Sequence, residues 1–251
     1  MDSLRIGMGE TPIEFLPKYG NRHGLIAGAT GTGKSVSLMV LAENYSRLGV
    51  PVFIVDVKGD IAGLSQPGTM NDKIASRIGT IGINDYRNEG SPVIFWDLVG
   101  ELGHPVRTTV SQMGPTLLAR ILELNDTQSG ALAVAFEVAD REGLLLLDLK
   151  DLRSLLNYVA ENRKAVSSAI GLVSTASIGA IQRALLRLEQ EGGEAFFGEP
   201  ALELIDLMRQ DMSGRGIINV LCAERLLLKP KVYSTFLLWL LSELFETLPE
   251  V

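Results

Sequence analysis

The chain alternates short apolar runs with longer amphipathic segments, a pattern typical of an α/β protein. An amphipathic run with helical spacing extends over residues 34–47 and ends before Gly49 and Pro51, which both stop helices. A strand, loop, helix, strand unit of this kind builds a parallel sheet with right-handed crossovers. We therefore predict a doubly wound α/β fold, with a mostly parallel sheet flanked by helices. Four runs rich in β-branched residues predict its buried strands, at 25–27, 52–57, 93–96 and 217–222.

Between Pro105 and Gly214 the strand pattern disappears and helical spacing takes its place. We expect a single domain over residues 1–251, with residues 105–214 as a large helical insertion within it. Pro200 and Pro230 are each placed to occupy the first turn of a helix. The helical runs lie at 113–124, 132–141, 149–158 and 178–190.

A glycine-rich loop, GATGTGKS at residues 28–35, joins the first predicted strand to the first predicted helix. Gly28, Gly33, Lys34 and Ser35 satisfy every fixed position of the phosphate-binding signature. Glycines let the backbone bring its N–H groups against phosphate oxygens, and the helix adds the positive end of its dipole. A chance match is the alternative, since these four positions recur by accident in about one chain in a hundred of this size. The flanking strand and helix favour the functional interpretation.

The signature predicts a site for ATP and magnesium. Lys34 is expected to reach the β and γ phosphates as the catalytic cation, and the Ser35 hydroxyl is expected to ligate magnesium. The amides from Gly31 to Val36 should face the phosphates. The predicted nucleotide-binding residues are Gly28, Ala29, Thr30, Gly31, Thr32, Gly33, Lys34, Ser35 and Val36.

Five other residues allow two interpretations each. Asp56 and Asp97 end predicted strands, where each is either a magnesium-associated carboxylate or a turn residue. His23 precedes the first strand and either approaches the nucleotide or acts as a solvated or capping group. Arg183 and Arg187 lie four residues apart on one helix face, and they either bind phosphate or form an exposed, solvated face.

The composition indicates the class of protein and its cellular compartment, but it says little about the reaction. The sequence is 46% hydrophobic and 21% charged, which indicates a globular protein with a buried core. Cys222 is the only cysteine, so no disulfide or metal-ligand pattern exists and a reducing, cytoplasmic setting is expected. No signal-peptide pattern and no apolar run of about 20 residues occurs, so we expect no membrane partner. The net charge of -7 argues against a surface that coats nucleic acid, but it leaves room for DNA held by a few loops inside a ring.

Longer segments in a fixed order resemble the HerA-like ATPases of the bacterial YjgR type, in the HerA and FtsK division of P-loop motors. The resemblance implies an ATP-dependent, helicase-like motor ATPase that works as a homo-oligomeric ring, with DNA as its polymer. The family's phosphate-loop residues carry over onto residues 28–35 without substitution. The matching segments lie at 21–35, 50–64, 93–115, 124–130, 142–153, 196–204 and 236–250.

The resemblance also extends to the order of elements after the last helix in similar proteins. There an apolar strand ends in Asp-Glu and supplies the magnesium-associated and water-activating carboxylates, and a sensor strand and an arginine finger come next. The sequence ends at Val251, before these elements. We therefore expect the C-terminal strands of the core to be missing, and ATP to be bound but barely hydrolysed. A nucleotide-binding switch or interaction module without translocation is the alternative, and a small-molecule kinase is a third.

Overall fold

The computed structural model of the protein describes residues 3–83 and 86–248, so both ends of the predicted 1–251 domain and the end of the 236–250 segment lie outside the described residues. The chain divides into two compact units. The sheet unit contains residues up to 96, 102–104 and 205–224, and the helical unit contains 97–101, 105–204 and the residues from 225 onward. The strands are β1 (Leu4–Met8), β2 (Pro12–Phe15), β3 (Val52–Asp56), β4 (Val93–Asp97), β5 (His104–Pro105) and β6 (Ile218–Cys222). The α-helices are α1 (Lys34–Arg47), α2 (Asp72–Ile81), α3 (Val110–Ile121), α4 (Asp126–Glu142), α5 (Leu149–Glu161), α6 (Arg163–Ala169), α7 (Thr175–Gln190) and α8 (Pro230–Thr247).

The main sheet has the strand order β3-β6-β4-β5. β6 pairs in parallel with both neighbours, since Ile218 lies opposite Val52 of β3 and Val93 of β4. The predicted α/β class with a parallel sheet flanked by helices is therefore confirmed. β1 and β2 form a separate antiparallel hairpin that the apolar pattern did not predict.

The predicted strand at 25–27 is wrong. Residues 23–29 have no regular secondary structure and join neither sheet. Leu25 is 89% exposed and Ile26 is 40% exposed. An apolar run becomes a strand only when a neighbour accepts and donates its backbone hydrogen bonds. No strand within the described parts of the chain lies beside this segment.

α1 packs across one face of the sheet. Ala42 is buried with Ile54 of β3 and Val220 of β6. At its C-terminal end, the Ser46 hydroxyl donates to the Gly216 carbonyl at 2.6 Å, and the Gly216 N–H donates to the Ser46 carbonyl at 2.8 Å. These two bonds fix the end of α1 beside the start of β6.

The helical unit has its own core. Within it, Phe196 packs edge-on against Phe236 and Trp239 of α8, with ring centroids 6.1 and 5.7 Å apart. Pro230 occupies the first turn of α8, as predicted.

The predicted first-turn position of Pro200 is wrong. Pro200 follows a cis peptide bond, and only a short 3-10 helix, Leu204–Met208, comes after it. The Leu202 N–H donates instead to the Arg107 carbonyl at 2.8 Å. Residues 201–203 have no regular secondary structure, and this tertiary hydrogen bond holds the segment beside Arg107.

Candidate nucleotide-binding site

The glycine loop leads directly into α1. Gly31 and Gly33 have φ angles of 82° and 95°, in the left-handed region that favours glycine. Gly33 is also the N-cap of α1, and no side chain caps this end of the helix. The first N–H groups of a helix have no partner within it. The start of α1 therefore offers uncapped backbone donors, which suits an anionic ligand.

Two side chains of the loop converge on one carbonyl. The Lys34 ammonium donates to the Ala29 carbonyl at 2.8 Å, and the Thr32 hydroxyl donates to the same oxygen at 2.8 Å. The loop is open to solvent. The Lys34 cation is thus held against the backbone of the loop.

The packing of α1 tells where the loop lies in the sheet unit. The C-terminal end of α1 is fixed at Gly216, beside the amino end of β6, and the helix continues over the sheet through Ala42 and Met39. Its 14 residues span about 21 Å. The N-terminal end of α1, with the loop, therefore lies toward the carboxyl ends of β3 and β6. Open α/β sheets bind ligands at this edge.

Asp56 ends β3 and is 5% exposed. Its carboxylate accepts hydrogen bonds from the N–H groups of Lys58 at 3.1 Å, Gly59 at 2.9 Å and Ile61 at 2.9 Å. Both carboxylate oxygens are therefore engaged by the turn after the strand. This geometry favours the turn interpretation of Asp56 over the magnesium interpretation.

Asp97 repeats this arrangement after β4. Its carboxylate accepts from the N–H groups of Val99 at 3.1 Å and Glu101 at 2.9 Å. His23 is exposed in the segment that precedes the loop, and Arg183 and Arg187 lie on α7 of the helical unit.

Sequence reasoning missed one acidic residue at the carboxyl edge of the sheet. Glu224 comes after β6, is exposed, and lies so close to Gly59 that a β-carbon there would collide with its carboxylate. Gly59 also has a φ of 75°. The sequence did contain a signal for Glu224. It comes two residues after the buried strand β6, and residues that follow parallel strands lie at the carboxyl edge of the sheet.

Ser35 meets the local requirements for a magnesium ligand. Its side chain is exposed at the start of α1, and within residues 3–83 and 86–248 no group hydrogen bonds to its hydroxyl. Hydroxyl oxygens and phosphate oxygens suit magnesium, which keeps several of its waters. In the same described ranges, no three or more His, Cys, Asp and Glu side chains cluster to hold a metal by themselves. A magnesium ion at this site would therefore take most of its ligands from the nucleotide phosphates and from water, with Ser35 as a protein ligand.

None of the described helices combines the length and the apolar character that crossing a membrane requires.

A family model matches nearly the whole chain, and solved structures resemble its fold. The family described as helicase HerA-like C-terminal matches residues 3–251. VirB4 of Thermoanaerobacter pseudethanolicus superposes with a TM-score of 0.54 at 17% sequence identity, over 96% of this chain and 62% of that chain. A bacterial conjugative coupling protein, TrwBdeltaN70 in complex with sulphate, gives a TM-score of 0.49 at 16% identity, over 89% and 52%. The comparison with curated proteins found no match. The chain thus has the fold of VirB4 and spans less than two thirds of that protein's length.

Proposed function

The chain belongs to the family of helicase HerA-like C-terminal domains, and from this premise we propose that it is the ATP-binding part of a motor ATPase, with the nucleotide at residues 28–35. The observation that carries the proposal is the loop itself. Left-handed Gly31 and Gly33, an uncapped start of α1 and the inward-held Lys34 ammonium together suit a polyphosphate.

Each loop residue has a defined role in this proposal. The amides of Gly31 to Val36 bind phosphate oxygens, and Lys34 leaves the Ala29 carbonyl to bind the β and γ phosphates. The Ser35 hydroxyl would ligate magnesium, which when bound would neutralise phosphate charge. Binding of the nucleotide thus replaces the bond of Lys34 to a neutral carbonyl by a contact between opposite charges.

Substitution of Lys34 tests the site. Lys34→Ala removes a charged contact commonly worth about 1.5–3 kcal/mol, so the affinity for magnesium-ATP should fall roughly ten- to hundredfold. Lys73→Ala, on the exposed face of α2, removes the same charge and serves as the control. Titration with a fluorescent ATP analogue measures both variants. Equal affinities of Lys34→Ala and wild type would refute the assignment.

We propose further that the 251-residue chain hydrolyses ATP only slowly. Phosphoryl transfer to water needs a group that orients the water and a cation that stabilises the developing charge, and an arginine finger alone is typically worth 10³ to 10⁵ in rate. Asp56 is engaged by three backbone N–H groups, which argues against it as the water-activating base. Phosphate release should rise by orders of magnitude in a version that carries the Asp-Glu strand, sensor and finger of similar proteins. Equal turnover by the two proteins would show that these residues already contain a complete active site.

The polymer and the assembly belong to the same proposal. We propose a homo-oligomeric ring that acts on DNA, because the family is described as helicase-like and the net charge of -7 disfavours DNA binding by an isolated subunit. Sedimentation with and without ATP measures the assembly, and fluorescence anisotropy measures DNA binding. Tight binding of DNA by the monomer at physiological salt would contradict the ring requirement.

A nucleotide-dependent switch module is the second candidate, and the acidic balance of 30 acidic against 23 basic residues favours it. DNA discriminates between the two. Stimulation of ATP hydrolysis by DNA supports the motor, whereas ATP-dependent binding of a protein partner without DNA stimulation supports the switch.

A further inference from the structure

The helical unit contains a cavity of about 220 Å³ between the junction of α3 and α4 on one side and α7 on the other. Its polar lining comes from four side chains, and the rest is aliphatic. The four are Glu123, Gln128, Arg183 and Arg187. The volume equals that of about seven water molecules at ~30 Å³ each, which is enough for a phosphate or diphosphate group.

Arg183 and Arg187 stand one turn apart on α7 and face the same cavity. Within residues 3–83 and 86–248, neither guanidinium has an ion-pair or hydrogen-bonding partner. Like charges at this spacing destabilise a helix. Other arginines of the same unit do bind acids, since Arg141 contacts Glu137 at 2.7 Å and Arg153 contacts Glu189. Both arginines are exposed to solvent, as the solvated-face interpretation expects, and they place two positive charges without an acidic partner at the wall of the cavity.

The one acidic side chain of the lining does not neutralise them. The Glu123 carboxylate binds the ammonium of Lys231 at 3.3 Å, and the Lys231 side chain is only 18% exposed. The positive charge of Lys231 therefore balances that of Glu123. A net charge of about +2 remains along the wall formed by α7.

Gln128 adds a neutral donor. Its side-chain oxygen accepts from the Asn125 N–H at 3.1 Å in the capping box that begins α4. Within the described residues the amide NH₂ of Gln128 has no hydrogen-bonding partner, so it is free to donate to a ligand at this cavity. Two guanidinium forks and an amide donor match phosphate oxygens, which arginine binds through paired hydrogen bonds.

We propose that Arg183 and Arg187 form a phosphate-binding site that is separate from the glycine loop. The ligand is a phosphate group, carried either by the backbone of a nucleic acid or by a free polyphosphate. Every group in this site belongs to the helical unit, whereas residues 28–35 belong to the sheet unit.

The test is made in the Lys34→Ala background, so that phosphate binding at the glycine loop does not contribute. Binding of inorganic tripolyphosphate is measured by calorimetry, and binding of a labelled DNA duplex is measured by anisotropy over a range of salt concentrations. Arg183→Ala with Arg187→Ala is compared with Arg163→Ala with Lys164→Ala, which removes two positive charges from α6 outside the cavity. Arg183→Lys with Arg187→Lys keeps the charge and removes the guanidinium forks. Thermal unfolding of each variant checks that the fold is intact.

Loss of the two arginines should weaken binding by about tenfold or more, while the α6 control stays within about twofold of its parent. If DNA is the ligand, the slope of log affinity against log salt should also fall by about two, since two phosphate contacts are lost. Tripolyphosphate binding that the arginine variant abolishes identifies a free polyphosphate, and DNA binding without tripolyphosphate binding identifies the backbone. Equal losses in the arginine variant and the α6 control, or no binding of either probe by the parent, would overturn the proposal.

Discussion

Gly33→Ala isolates the conformational requirement of the glycine loop. Gly33 has φ 95° and ψ 17°, and a β-carbon added there would meet no atom within 4 Å. The substitution therefore introduces no clash, and its cost is that of an L-residue in the left-handed region, about 1–2 kcal/mol. Because the loop is open to solvent, the unliganded variant can relax to a negative φ, so ATP binding must restore the left-handed conformation and its cost appears as lost affinity. We expect the dissociation constant for magnesium-ATP to rise roughly 5- to 30-fold.

Gly24→Ala is the matched control. It adds the same methyl group to the segment just before the loop, again with no atom within 4 Å, and Gly24 does not have a positive φ. Its affinity should stay within about twofold of wild type. Titration with a fluorescent ATP analogue measures binding, and thermal unfolding shows whether the fold changes. Equal affinities of the two variants would refute the need for a left-handed residue at position 33, and a large drop in melting temperature for Gly33→Ala would show that the loss is structural.

Two further predictions concern the scaffold of the sheet unit and one of its turns. Gly216→Ala places a methyl group less than 3.0 Å from the backbone that joins α1 to β3, so denaturant unfolding should show that the free energy of unfolding falls by about 3 kcal/mol. Gly130→Ala, on the exposed surface of α4, is the control and should raise the free energy of unfolding by about 0.5–1 kcal/mol. An unchanged stability of Gly216→Ala would contradict the close contact. A hydrogen bond from the Ser213 hydroxyl, with further hydrogen bonds from the same turn, lowers the pKa of Asp211 from 3.8 to about 2. This folded-state value lies below the unfolded one, so the stabilisation is present above about pH 4 and is lost as pH falls toward 2. Asp211→Asn should remove that part of the acid dependence in melting experiments, and an unchanged profile would rule the contribution out.

Local pattern was sufficient where one feature of the sequence determined the element. β3, β4 and β6 are mostly apolar runs that are identifiable without their partners, although β6 contains Asn219. α1 has a glycine loop before it and Gly49 after it. The segment at 25–27 has the same apolar pattern and is not a strand, because strand formation depends on a neighbour that a local pattern does not specify.

The site was predictable to a similar degree. The loop residues are identifiable from the signature, because the residues expected to contact phosphate are consecutive in the sequence. The hydrogen bonding of Asp56 could not be predicted, because it depends on the backbone conformation of the turn that comes after β3. The cavity on α7 could not be foreseen either. The spacing of Arg183 and Arg187 was visible, but their lack of acidic partners depends on which residues the fold brings to them.

The place of β6 in the sheet has a consequence for biosynthesis. β6 lies between β3 and β4, yet it comes after both in sequence, and the pairing of Val52 with Ile218 spans about two thirds of the chain. At ~5–20 residues per second, a ribosome takes roughly 10–30 s to make the residues between them. During that time β3 and β4 have been synthesised without the strand that will separate them, and their open edges are available to other nascent chains. The sheet unit thus completes its folding only after the helical insertion has emerged.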